Sequence, residues 1–324
     1  MLSRTLGRSG IEVSTMGMGC WAIGGPWSGS DGRAMGWSRV DDAESIRAIH
    51  AALDMGVSLF DTAANYGCGH SERILGQAIA GRRDKVVIAT KFGHVIDKGT
   101  KIVHDAGDAL LGNIRQDCEN SLRRLGTDYI DVYQFHAGSY DPLKAVTVRD
   151  TLETLVAEGT IRAYGWSTDH VDRAHVFAQG EHCASIQFRL NLLSDSPEMR
   201  ALCDETDVGS INKKPLTSGI LTGKFTTEST FPDDDFRQRF SLKEEGMAKM
   251  LRQVDELREV LTSGGRTLAQ GAIAWIWARS ERAVPIPGFK TVAQVNENAR
   301  AMEFGPLNQD QMDAVEAILK REQE

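Results

Sequence analysis

The apolar positions of this chain switch between two periods. Short apolar runs, "MGMGCW", "VSLFDT", "KVVIATK", "DYIDVYQFH", "TIRAYGWS", "ASIQF", "VGSIN" and "RAVPIPG", read as strands, eight in all. Between them apolar residues recur at helical spacing. "DDAESIRAIHAALDMG" starts at an acidic cap and stops at Gly56, and "HSERILGQAIAG", "LLGNIRQDCENSLRRLG", "PLKAVTVRDTLETLVAEG", "DHVDRAHVFAQ", "PEMRALCDET" and "VAQVNENARAME" follow the same period. Two more helical stretches fall at about 241–262 and 267–280, and "NQDQMDAVEAILKR" reads as a closing helix. Strand–helix alternation predicts a parallel sheet, and eight units predict an α/β fold closed as a (β/α)8 TIM barrel. The strands are apolar runs without clean alternation, as in a sheet covered on both faces. "SRTLG" and "IEVST", around Arg8-Ser9-Gly10, predict a β-hairpin ahead of the barrel. No repeat, low-complexity tract or linker interrupts residues 1–324. One barrel domain is expected, with large loops at about 24–40, 92–107 and 222–240.

One stretch competes with this reading. Gly17, Gly19 and Ala22 in "STMGMGCWAIGGPW" fit G-x-G-x-x-G/A, the dinucleotide-binding fingerprint. That motif needs a helix opening inside it, but the next residues are the loop-like "GGPWSGSDGRAMGW", with no helical period before Asp41. The stretch is therefore expected to be the first barrel strand. Its glycines let the backbone run close to its neighbours, and its end brings Cys20 and Trp21 to the C-terminal mouth. Two other partial motifs fail. "GILTGKF" has Ser218 where a P-loop needs glycine, and "GHSER" has Arg73 where a nucleophile elbow needs glycine.

Composition narrows the function classes. The chain has 324 residues, 41% hydrophobic and 25% charged, with a net charge of −8, which leaves no electrostatic footprint for nucleic acid. The most apolar segment, "AIAWIWA", is too short for a membrane span. The five cysteines, at 20, 68, 118, 183 and 203, form no C-x-x-C pair, so neither a disulfide framework nor a zinc site is indicated. "FPDDDF" at 231–236 reads as a solvated loop, and no metal site is expected. Reduced thiols and a start, "MLSRTLGRSG", without an apolar signal region lead to the expectation of a cytoplasmic protein.

In a barrel, chemistry is expected where strands end at the C-terminal face. The polar residues at those ends are Asp61, Lys91, His136, Ser167 and Gln187, with Tyr66 in the loop after Asp61. Taken singly, Asp61 reads as a turn cap, Tyr66 as a loop aromatic, Lys91 as a surface charge and His136 as a core histidine. Together they make chemical sense. A phenol is a poor acid at neutral pH, and a nearby ammonium lowers its pKa. A carboxylate holds that ammonium in place, and an imidazole donates to a carbonyl oxygen. Such a general acid with an oxyanion partner suits carbonyl reduction. Side chains cannot supply the hydride, so a nicotinamide is required.

These residues carry a family resemblance. "FDTAANYG" with "SERILG", then "VVIATK", "DYIDVYQFH", "YGWST", "IQFRLN", "PLTSGILTGKF" and "PIPGFKTVAQVNEN", match segments of the aldo-keto reductases in the family's order, over essentially the whole chain. The resemblance implies a catalytic tetrad of Asp61, Tyr66, Lys91 and His136, with Tyr66 as proton donor. It also implies an extended NADP(H), with NAD(H) as the alternative, bound without a Rossmann domain. Carried over by position, Ser167, Gln187 and Asn191 hold the nicotinamide end, beside Asp61, Cys20 and Trp21. Lys213, Lys214, Pro215, Leu216, Thr217, Ser218 and Gly219 form the pyrophosphate strap, with the backbone N–H groups of 216–219 as donors. Gly288, Phe289, Lys290, Gln294 and Asn298 hold the adenosine, and Lys290 pairs with a 2′-phosphate, which favours NADP(H). Lys213 departs from the family, since many members carry an aromatic ring there, stacked on the nicotinamide. For substrate, the aromatics Trp21, Trp27 and Phe92 join Tyr66 and His136 at the mouth, suiting a flat or apolar molecule or a sugar face. Phe92 and His94 both follow the third strand, and Trp37 reads as loop packing.

The expected activity is interconversion of an aldehyde or ketone, with sugars and keto-sugars included, and the corresponding alcohol. A second class is a cofactor-binding regulatory subunit like the channel-associated relatives of the family, where binding matters more than turnover. The intact tetrad argues against it.

Overall fold

The computed structural model describes residues 3–320. It opens with an antiparallel hairpin, β1 (Ser3–Thr5) with β2 (Glu12–Ser14), joined through a 3-10 turn at Gly7–Ser9 that ends on left-handed Gly10. Then come β3 (Gly17–Gly19), β4 (Ser28–Gly29), β5 (Leu59–Asp61), β6 (Val87–Phe92), β7 (His94–Asp97), β8 (Ile102–Asp105), β9 (Ile130–Phe135), β10 (Ile161–Ser167), β11 (Cys183–Arg189), β12 (Gly209–Lys213) and β13 (Ala283–Pro285). Eight of them form a parallel sheet in the order β3-β5-β6-β9-β10-β11-β12-β13. The sheet closes where Gly19 bridges to Gly288 and donates its N–H to the Pro287 carbonyl at 2.9 Å. This is the expected (β/α)8 barrel. A Cβ on Gly19 would lie 2.8 Å from the Ile286 carbonyl oxygen, so the seam needs glycine. No α-helix opens after Gly19. Ala22–Gly24 is a single 3-10 turn, and the first helix, Asp42–Asp54, starts where the Asp41 carboxylate accepts from the Ala43 and Glu44 N–H groups.

Strand alternation sorts the core into two shells. Leu59, Val87, Ala89, Val132, Ala163, Ala184, Ile211 and Val284 fill the barrel interior, and Leu6, Ile11 and Val13 of the hairpin stop its base. The residues of opposite parity, such as Ile88, Phe92, Tyr133 and Phe135, pack outward against the helices. Moving up the inward face of β6 gives Val87, Ala89, Lys91, and that of β9 gives Val132, Gln134 and then His136. Apolar layers fill the lower barrel and a polar layer crowns it. The helix Leu268–Arg279, buried on nearly all sides, is held by a Thr267–Gln270 capping box.

Two expected loops carry structure. Within 92–107, β7 and β8 pair antiparallel, and β4 adds to β8. The strand β7 is exposed at every second residue and shows no apolar run, which is why its sequence reads as loop. Within 222–240 a 3-10 turn, Phe236–Arg239, docks on the loop 24–40: the Phe236 N–H donates to the Gly36 carbonyl at 2.8 Å. No helix among the described residues is long and apolar enough to cross a membrane.

Candidate active site

The strand ends bring the four sequence-predicted residues together. Asp61 ends β5, Lys91 is the penultimate residue of β6, His136 comes directly after β9, and Tyr66 sits in the turn after Asp61. Lys91 is fully buried and its ammonium donates to Asp61 Oδ1 at 2.5 Å, to the Thr62 carbonyl at 2.8 Å and to the Tyr66 hydroxyl at 3.3 Å. The other oxygen of Asp61 accepts from two amides, Gln187 Nε2 at 2.6 Å and Gln134 Nε2 at 3.0 Å. Gln134 was missed by sequence reading, although it has the same strand parity as His136. The Tyr66 and His136 rings meet edge to face, 5.9 Å between centroids, and Trp21 lies over Tyr66 at 6.2 Å.

Burial sets the protonation states. It pushes the Tyr66 phenol up, and the Lys91 charge offsets this only in part, so the net direction is above the ordinary value. The expectation of a lowered phenol pKa is corrected: desolvation of the phenolate outweighs the ammonium. Burial works against the Lys91 ammonium, yet Asp61 and Tyr66 prevail and hold its pKa above the usual lysine value. Burial, and then the charge of Lys91, drive His136 well below the ordinary histidine value, so its ring is neutral. Its buried Nδ1 has no hydrogen-bond partner among the described residues.

These groups open onto a cavity of about 780 Å³. Its wall includes Trp21, Trp27, Asp61, Tyr66, His136, Ser167, Gln187, Lys213, Lys214, Pro215, Leu216, Ser218, Gly219, Gly288, Phe289, Lys290, Gln294 and Asn298. Lys91 lies behind the wall, reaching the cavity only through its partners. Four other predicted residues are not on the wall. Cys20 and Phe92 have the opposite parity to Gly19 and Lys91; both point into the outer shell, Cys20 toward the Met18 carbonyl and Phe92 onto Tyr133 at 4.5 Å between rings. Burial also raises the Cys20 thiol far above its ordinary value. Asn191 holds a turn, donating to the Lys214 carbonyl at 3.1 Å and accepting from the Leu193 N–H at 3.0 Å. Thr217 turns its side chain into the protein, where its hydroxyl is buried.

The strap is also corrected in detail. Thr217, Ser218 and Gly219 are left-handed, with φ of 49°, 56° and 99°. The Thr217 and Gly219 N–H groups close this turn on the Lys214 and Leu216 carbonyls, at 3.0 and 2.9 Å, and so are not free donors. Charge around it comes from side chains, and sequence reading missed three of them, Arg189, Lys224 and Arg237. Among the described residues, six cations line the cavity, Arg189, Lys213, Lys214, Lys224, Arg237 and Lys290, against three acids, Asp61, Asp169 and Glu297. In a chain of net charge −8, that local excess fits a polyphosphate ligand. Ser167, whose hydroxyl lies 3.4 Å from the Gln187 side-chain oxygen, and Gln187 present amide-binding groups beside Tyr66. The donor set thus fits an extended nicotinamide dinucleotide: amide-binding groups by the tetrad, cations along the channel.

The roof of the channel joins the two large loops. Phe236 packs on Trp21 at 4.5 Å and on Trp37 at 5.0 Å, and the Arg237 guanidinium lies 4.2 Å from the Trp37 ring centre. Asp235 is fully buried, pairs with Arg237 at 2.8 Å and accepts from the Ser38 N–H at 3.4 Å. This corrects the reading of "FPDDDF" as wholly solvated. Trp37 lines the cavity as well as packing in its loop. Lys290 reaches across to donate to the Ser38 carbonyl at 3.0 Å. His94, Met35 and Asn65 complete the mouth. The sequence signal for His94 and Asp169 is a place two residues after β6 and β10, and that for Arg189 is the end of β11; Arg237 and Lys224 carry none, because a loop far along the chain delivers them.

Known proteins resemble this chain in sequence and fold. Residues 15–320 match the model of the Aldo/keto reductase family. An aldo-keto reductase of Bacillus subtilis is 34% identical over 319 residues, covering 94% of this chain and 90% of that protein. An NADH-specific methylglyoxal reductase of Escherichia coli is 32% identical, covering 94% of each. Among solved structures, a glycerol dehydrogenase from Gluconobacter oxydans superposes with a TM-score of 0.83 at 30% identity, over 98% of this chain and 95% of that one. An aldo-keto reductase from Klebsiella pneumoniae in complex with NADPH gives 0.71 at 27% identity, over 100% and 98%.

Proposed function

Because this chain belongs to the aldo/keto reductase family, we propose that it is an oxidoreductase that reduces an aldehyde or ketone, or oxidises the alcohol, with Tyr66 as general acid–base and NADP(H) as the preferred cofactor. The observation that carries the mechanism is the buried chain Asp61–Lys91–Tyr66 opening beside a neutral His136. Bound nicotinamide supplies or accepts the hydride. Tyr66, kept protonated by burial, gives its proton to the carbonyl oxygen as negative charge develops there. Lys91, 3.3 Å away, stabilises the phenolate left behind. Asp61 keeps the ammonium charged, and Gln134 and Gln187 fix the carboxylate's other oxygen, so the pair is preorganised. His136, neutral, offers a ring N–H to the same carbonyl oxygen and orients it. Trp21, Trp27 and Trp37 shape an aromatic mouth that suits sugar faces and apolar carbonyls alike.

The preference for NADP(H) rests on Lys290, the cation expected at a 2′-phosphate, and on the cationic lining of the channel. The solved Klebsiella relative is in complex with NADPH, whereas the Escherichia coli relative is NADH-specific, so both cofactors belong in the assay. The test combines binding and turnover. NADPH fluorescence is titrated with protein, and its oxidation is monitored at nicotinamide absorbance with aldehydes, ketones and keto-sugars, and in reverse with alcohols. Turnover that falls about 10²–10⁴-fold in Tyr66→Phe, with NADPH affinity kept, is the expected result. Tight NADPH binding with no oxidation by any member of the panel would favour a binding role without turnover.

A further inference from the structure

We propose that Lys213 makes this site discriminate between the two redox states of a nicotinamide, holding the reduced form more tightly than the oxidised form. The inference rests on the nicotinamide reading above and concerns a residue where the family resemblance calls for an uncharged aromatic ring. A ring that exchanges hydride with a carbon bonded to the oxygen at Tyr66 must come within roughly 3–3.5 Å of that carbon. That places it against the wall made by Ser167, Gln187 and Lys213. Lys213 ends β12, and its ammonium lies 3.5 Å from the Ser167 hydroxyl and 3.3 Å from Asp169 Oδ2.

Two effects act in the same direction. The oxidised ring carries a unit positive charge and the reduced ring none, so a nearby cation opposes only the oxidised form. In the reduced ring, electron density from the ring nitrogen moves onto the carboxamide oxygen, which an ammonium donor stabilises. The local charge is not cancelled. Lys213, Lys214 and Arg189 share this end of the cavity with Asp169, whose side chain is 43% exposed and so screened by water, whereas that of Lys213 is 24% exposed. Burial lowers the Lys213 pKa, Asp169 opposes it, and Arg189 and Lys91 add smaller contributions to the lowering. An aromatic ring at this position would contribute neither effect. The consequence is that oxidised cofactor leaves more easily than reduced cofactor, which speeds the reductive cycle wherever cofactor release limits it.

The test is the ratio of dissociation constants, NADP⁺ over NADPH, measured at pH 7 by calorimetry and fluorescence for the wild type, Lys213→Met and Lys213→Arg. The ratio is expected to fall about tenfold in Lys213→Met, mainly through tighter NADP⁺, and to stay near the wild-type value in Lys213→Arg, where the charge is kept. The same ratio in all three proteins, or parallel shifts of both constants in Lys213→Met, would overturn the inference while leaving the functional reading intact. Absence of NADPH binding by the wild type would remove the functional reading itself, and this inference with it.

Discussion

Replacing Lys91 by Met removes the cation that answers a buried carboxylate. Lys91 Nζ makes three hydrogen bonds, to Asp61 Oδ1, the Thr62 carbonyl and the Tyr66 hydroxyl, and both charged side chains are shielded, at 0% and 3% exposure. In the variant Asp61 Oδ2 keeps its two amide donors, but Oδ1 is left bare in a dry layer. Breaking a buried ion pair on one side costs about 3–5 kcal/mol, because the surviving charge stays desolvated and unpaired. Unfolding entropy of roughly 2.1 cal/mol/K per residue over 324 residues is about 0.7 kcal/mol/K, so the melting point is expected to drop by about 4–7 °C. Asp61→Asn in the Lys91→Met background removes the stranded charge. A double-mutant cycle by urea unfolding, read by circular dichroism, is therefore expected to return about 2–3 kcal/mol of coupling. Activity is lost in both proteins, so stability is the informative readout. If Lys91→Met costs less than about 1 kcal/mol, or the two substitutions simply add, the pair is not the desolvated unit described above.

Three further outcomes are expected from named contacts. His136 is neutral in the fold, whereas the unfolded chain takes up a proton below about pH 6.5, so this group costs stability as pH falls through that range; His136→Asn is expected to flatten the acid side of the stability profile, and an unchanged profile refutes it. Lys290→Met is expected to weaken NADPH binding about tenfold while leaving NADH binding nearly unchanged; equal losses for both would remove Lys290 from 2′-phosphate recognition. Gly19→Ala places a Cβ 2.8 Å from the Ile286 carbonyl oxygen at the barrel seam, and is expected to cost about 1–3 kcal/mol in chemical denaturation. A neutral result there would mean that the seam can part without penalty.

Much of this site could be read from one dimension because strand parity and strand ends are local properties. The eight apolar runs predict the sheet, and the polar residues closing five of them, Asp61, Lys91, His136, Ser167 and Gln187, predict the crown of the barrel. The same parity, applied one residue further, separates Lys91 from Phe92 and Gly19 from Cys20. Reading Phe92 and Cys20 as wall residues overlooked that neighbours on a strand face opposite sides. Gln134 lay within reach of the rule as well, at the position below His136.

Other features had no local signature. The direction of the Tyr66 shift depends on how much protein surrounds the phenol, a sum over residues from many strands and loops. The channel roof depends on Phe236 meeting Trp21 and Trp37, some two hundred residues away along the chain. Arg189, Lys224 and Arg237 reach the cavity from separate parts of the chain, and nothing in their spacing links them to Lys213, Lys214 and Lys290. By itself, the chain's pattern of apolar runs, helical periods and terminal polar residues determined the barrel and which end of it does chemistry, because period and parity are set by backbone geometry. Only the tertiary structure decided which groups are dry, which are paired and which N–H groups the strap keeps for itself, because burial and charge belong to the assembled surroundings of a side chain.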